Sequence, residues 1–186
     1  YLTDLPVLVK LTSTNFDFSK ANSDGFDIRF TQSDGSTLLK YERERHDGAD
    51  YAEYWVKVPA VSGTVDTDFY MYYRTTDTAD GADPTNVWDA NYKMVQHLSD
   101  LTTSTINDST TNNYDGTKTG AGNPAEANGQ VGKAQDFSGD EQITCGDINE
   151  MDGASKLTMS GWIRVDAMLD TPTLPLRKYS VWTSAI

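Results

Sequence analysis

SDGFDIRFTQSDGS, residues Ser23–Ser36, holds one tripeptide twice with an alternating run between. Phe26, Ile28 and Phe30 fall on one face of an extended segment, and Asp27 and Arg29 on the other. Each Asp-Gly pair tolerates positive φ and punctuates the chain. A calcium loop would need oxygens at alternate positions before its glycine and a distant Glu, and Phe26 stands where an oxygen is required. The stretch therefore reads as a half-buried strand between two turns, and its aspartates as turn residues.

Period-2 patterns continue outward from it, and no stretch shows helical periodicity. Leu5–Leu11, Leu39–Arg45, Tyr54–Pro59 and Phe69–Tyr73 read as further strands, separated by turn signals at Asp47-Gly48 and Ser62-Gly63. Residues 75–85 have almost nothing to bury and read as a linker. Beyond Trp88 a second set of strands is expected at Tyr92–His97, Gln130–Phe137, Gln142–Cys145, Lys156–Val165 and Tyr179–Ala185, with a polar loop over Ser99–Asn128. The expectation is an all-β chain of two tandem antiparallel β-sandwich or jelly-roll modules: residues 1–75, a linker at 76–87, and residues 88–186 as an incomplete second module. Both ends read as cut from something longer, and an unfinished sandwich exposes sheet edges that a partner must cover.

The chain has 186 residues, 37% of them hydrophobic and 11% aromatic, which is enough for a real core. A formal net charge of −13 with no basic cluster argues against binding nucleic acid or an anionic membrane surface. Cations and neutral polar ligands such as sugars are better tolerated. Cys145 is the only cysteine, so no intrachain disulfide forms. No run approaches the ~18 apolar residues of a membrane span.

Two resemblances follow from particular segments. Leu5–Leu11, Asp24–Phe30, Leu39–Glu42, Trp55–Pro59 and Tyr70–Tyr73 together resemble an uncharacterised β-sandwich family of secreted, surface and phage proteins. That family usually has Gly after the paired tyrosines, where this chain has Arg74. No established activity comes with the likeness. Gly129–Gly139 and Leu157–Asp166 resemble a laminin-G-like, concanavalin A-like jelly roll over about residues 87–166. This second resemblance implies carbohydrate binding, adhesion or virion-surface architecture, with calcium in many members.

On the Leu157–Val165 strand, Leu157, Met159, Ile163 and Val165 share a face, and Trp162 lies on the other with Ser160 and Arg164. Trp162, Ser160 and Arg164 are therefore the candidate glycan-binding residues, unless Trp162 is covered by a loop or a neighbouring domain. Asp140 and Asp147, near strand ends, are the candidate calcium ligands, with solvated acidic loops as the plainer alternative. Glu42 and Glu44 share a strand face at about 6–7 Å. They alternate with Arg43 and Arg45 and read as an exposed charged edge that discourages aggregation. His46 and His97 fall in separate regions with no Ser or Cys motif to join them. The function expected is a non-catalytic surface, adhesion or virion-structural module that binds glycan, located outside the cell or on a virion. It would work with other protein chains in a homo- or hetero-assembly. The competing expectation is a glycan-processing enzyme whose catalytic residues lie elsewhere.

Overall fold

The structure is a computed structural model, and it describes residues 1–74, 76, 79–99, 104–120 and 123–165. It is all-β, with antiparallel sheets and no α-helix among the described residues. The chain divides into two units, Tyr1–Ala154 and Ser155–Ile186.

In the first unit, β1 (Leu2–Thr12), β4 (Tyr51–Val61) and β3 (Tyr41–His46) form a sheet in the order β1-β4-β3. Its inner face carries Leu11, Ala52, Tyr54, Val56, Val58 and Tyr41, all buried. A second sheet pairs β2 (Arg29–Gln32) with β5 (Phe69–Tyr72), Phe30 opposite Met71 and Thr31 opposite Tyr70. Phe30, fully buried, presses against the rings of Tyr41 at 5.2 Å and Tyr54 at 5.5 Å, so the two sheets close over one aromatic core. The Tyr41 hydroxyl ties the layers further by donating to Ile28 O at 2.7 Å.

The two SDG segments are turns, as their spacing predicts. Gly25 and Gly35 sit at φ +68° and +71°. Asp24 Oδ1 accepts from Phe26 N, and Asp34 Oδ1 accepts from Ser36 N and Thr37 N, each at 2.9 Å. The regular strand begins only at Arg29. Asp27, expected on the solvent side, is instead fully buried, where it accepts from Asn22 N at 2.9 Å and Arg74 N at 2.6 Å. The backbone donors from two loops offset the cost of taking this carboxylate out of water.

The later strands differ from expectation in detail. Tyr92–His97 forms no strand; only Gln96 makes an isolated bridge, to Asp108. The run expected over Gln130–Phe137 is the second arm of a hairpin, β8 (Ala125–Asn128) with β9 (Lys133–Asp136), turning at residues 129–132. Within the polar stretch expected as loop, β6 (Thr105–Ile106) and β7 (Gly116–Thr119) join β10 (Gln142–Thr144) in a small sheet. Lys156–Val165 makes no ladder, because alternation yields a strand only where a neighbour supplies hydrogen bonds. Tyr179–Ala185 lies outside the described residues. Residues 79–83, part of the expected linker, are strapped to β3. Arg43 forms a two-pronged pair with Asp80 at 2.8 and 2.6 Å, Lys40 reaches Asp83 at 2.6 Å, and Asp83 N donates to Tyr41 O at 2.8 Å.

Candidate functional site

The outer face of the β1-β4-β3 sheet carries Glu53 and Trp55 from β4 and Glu42 from β3, since Glu42 pairs with Trp55 across the ladder. A register shift between Arg43 and Arg45 places Glu44 at an irregularity, so both glutamates turn to this one face. They are not an exposed edge. The side chains of Glu42 and Glu44 are 11% and 1% exposed, and Glu53 is fully buried. Glu42 and Glu44 do share a face, but the segment from Trp88 onward folds back over it and buries them.

His97 lies between the two glutamates. Its Nε2 is 3.0 Å from Glu42 Oε2, and its Nδ1 bonds Glu44 Oε2. With a carboxylate on each nitrogen, both ring nitrogens carry protons and donate. Burial opposes the charge, but hydrogen bonds and charge from Glu42 and Glu44 outweigh it and push the His97 pKa up to about 9. Burial likewise works against the Glu42 charge. His97 outweighs it, with Ser109 and Trp88 adding donors, and the carboxyl is held below its usual range.

Indole and hydroxyl donors complete the cluster. Trp88 Nε1 donates to Glu42 Oε2 at 2.8 Å, Ser109 Oγ to Glu42 Oε1 at 2.6 Å, and Trp55 Nε1 to Glu44 Oε2 at 3.0 Å. The Trp55 and Trp88 rings pack at 5.5 Å, and Trp88 packs on His97 at 5.9 Å. Glu53 accepts from Tyr51 Oη at 2.5 Å and from Gly132 N at 2.7 Å. Gly132, at φ +55°, stands so close that a Cβ there would overlap Glu44 Oε1. Thus Trp88, His97, Ser109 and the β8–β9 turn all dock on acidic side chains of the first sheet.

A polar cavity of about 290 Å³ adjoins the cluster, lined by Glu42, Glu44 and His97 with Arg43, Asn107 and Asp108. Asp108 is occupied as a loop organiser, accepting from Val95 N, Thr110 N, Thr110 Oγ1 and Tyr114 N at 2.8–3.0 Å. Ser109 faces a carboxylate rather than the imidazole, so the Ser, His and Glu do not form a nucleophilic relay. Among the described residues no group of three or more His, Cys, Asp or Glu side chains is arranged to hold a metal ion.

The residues singled out from sequence lie elsewhere. Asp140 and Asp147 are exposed and flank β10 at its two ends. Ser160, Trp162 and Arg164 belong to the second unit, in a segment without regular structure, and Trp162 is 79% exposed. What could have pointed to the buried cluster was the spacing Glu-x-Glu beside a strand Trp. Nothing local, however, linked it to a histidine more than fifty residues away.

The fold and this cluster define an all-β domain in which two stretches of chain are locked through an acidic sheet face. The chain belongs to the family described as a domain of unknown function, DUF2341, whose sequence model matches residues 24–120 and so includes Glu42, Glu44, Trp88, His97 and Ser109. No curated protein and no solved structure matches the chain.

Proposed function

We propose that the chain is a non-catalytic module of a cell surface, secreted assembly or virion, and that it binds glycan outside the cell. The observation that carries the non-catalytic half is the closure of the Glu42–His97–Glu44 cluster. Both histidine nitrogens and the Ser109 hydroxyl are committed to carboxylates, so in this cluster neither the imidazole nor the hydroxyl is poised as base or nucleophile. Glycan binding is assigned to Ser160, Trp162 and Arg164, at the end of the stretch over about residues 87–166 that resembles a laminin-G-like jelly roll. Trp162 stands 79% exposed, with Ser160 and Arg164 two positions to either side of it in the sequence. The net charge of −13 favours neutral sugars over polyanions. Calcium at Asp140 and Asp147 belongs to the same proposal, since both carboxylates are exposed beside β10.

A glycan array followed by calorimetry tests the proposal. Binding without turnover, lost in Trp162→Ala, supports it. Release of reducing sugar would replace it with a glycan-processing enzyme, and absence of any glycan ligand would remove the binding assignment. A thermal shift on adding millimolar Ca²⁺, reversed by EDTA and absent in Asp140→Asn/Asp147→Asn, supports the cation; no shift removes it.

A further inference from the structure

The two sheets that enclose the aromatic core have four edges, and other parts of the chain cover backbone groups on three of them. Lys57 N donates to Lys40 O at 2.9 Å, so Lys57 faces β3 and its partner Pro6 turns toward the open side of β1. Pro6 has no N–H to offer there. Lys10 and Thr12, of the same parity, are capped by the Asn15 side chain, which donates to Lys10 O at 3.1 Å and accepts from Thr12 N at 2.7 Å. The far edge of β3 is covered by the strap at Asp80–Asp83, with Asp83 N on Tyr41 O. The far edge of β2 is taken by Leu39 N on Phe30 O at 2.8 Å and by Gln32 N on Thr37 O at 2.9 Å.

The far edge of β5 is different. Because Phe30 and Gln32 point away from β5, their partners Met71 and Phe69 point away from β2. No hydrogen bond from any other described segment reaches the Phe69 or Met71 backbone. Phe69–Tyr72 is uncharged and β-prone. Tyr70 and Tyr72 stand 49% and 44% exposed on its outer face. Charges flank it asymmetrically, with Asp66 and Asp68 before the strand and Arg74 after it, all exposed. No carboxylate pairs with the Arg74 guanidinium among the described residues.

We infer that the open edge of β5 is an assembly edge at which a second copy of this chain adds its own β5, antiparallel, across a two-fold axis. Antiparallel self-pairing brings the acidic flank of each strand to the Arg74 end of the other, so the same asymmetry gives two complementary charge contacts. The backbone parity requires Phe69 or Met71 of one copy to face Phe69 or Met71 of the other. The register centred on Tyr70 sets Tyr70 beside its own symmetry mate, a cross-strand aromatic pair on the exposed face. A parallel arrangement would place like charges together and is disfavoured. The short strand makes the contact weak, with a dissociation constant on the order of 0.1–1 mM. Such a contact matters where many copies are held close on one surface.

The inference rests on the assembly part of the function proposed above but is independent of glycan binding. Sedimentation velocity of the 186-residue chain from about 10 µM to about 1 mM tests it. The expected result is a concentration-dependent shift toward dimer, weakened at least about tenfold by Tyr70→Glu, which sets like charges at the two-fold axis, and similarly by Arg74→Glu. Dimerisation returns in Asp66→Arg/Asp68→Arg/Arg74→Glu, where both signs are exchanged. Circular dichroism checks that each variant stays folded. A chain monomeric throughout overturns the inference, as does a dimer that ignores all these substitutions. A monomer that binds glycan leaves the glycan proposal standing, and a dimer without a glycan ligand does the reverse.

Discussion

Replacing His97 by Ala removes the one cation between Glu42 and Glu44 and leaves two buried carboxylates facing each other. Two routes give the size of the effect. Breaking a buried charge pair from one side costs about 3–5 kcal/mol, and the donors that remain on Glu42 and Glu44 from Trp88, Ser109 and Trp55 place the cost at the lower end. Independently, raising the histidine from its ordinary 6.5 to about 9 corresponds to about 3 kcal/mol of linkage free energy. For a unit of this size a loss of about 3 kcal/mol lowers the melting temperature by about 6–12 °C. The pH signature is specific. A histidine pKa raised in the folded state contributes stability that is complete below pH 6.5 and disappears as pH rises through about 9. Glu42, whose folded pKa is depressed, contributes stability that is present above its ordinary 4.5 and lost as pH falls through the folded value. Urea unfolding of both proteins at half-unit steps from pH 6 to pH 10 should show their stability gap closing at the alkaline end. Parallel curves across that range would mean that His97 is not held as an imidazolium between the glutamates.

Other substitutions report on the same packing. Gly132→Ala combines a left-handed backbone with a Cβ that overlaps Glu44 Oε1, and should cost about 2–4 kcal/mol in urea unfolding with an accompanying loss of the alkaline limb. Asp27→Ala strips the acceptor from Asn22 N and Arg74 N and should cost about 2–3 kcal/mol by the same measurement; an effect below about 0.5 kcal/mol would contradict its structural role. Asn15→Ala uncovers Lys10 O and Thr12 N on the edge of β1, so its main expected outcome is faster aggregation by light scattering with only a modest change in melting temperature.

Much of the strand order was legible because period 2 is a local property. Phe26-Asp27-Ile28-Arg29-Phe30 announces its two faces whatever lies around it, and Asp-Gly announces a turn through the φ that glycine permits. All five strands expected before residue 75 are present, each with at least one altered end. The small sheet of β6, β7 and β10 was less legible. Thr105–Ile106 and Gly116–Thr119 are too short and polar to alternate visibly, and they become strands because they find one another. The hairpin of β8 and β9 was half visible, since Ala125–Asn128 offers no apolar residue larger than Ala.

Sequence alone determined the class of fold, the turns, the acidic surface and the absence of any long apolar helix-forming run, because each depends on neighbours within a few residues. The tertiary structure alone decided what the charges do. Glu42 and Glu44 have the spacing of an exposed edge, and Asp27 that of a solvent-facing strand residue. Their burial is set by His97, Trp88, Gly132 and Arg74, which arrive from distant parts of the chain. A carboxylate tolerates burial only when donors converge on it, and convergence across long loops leaves no periodic trace in the order of residues.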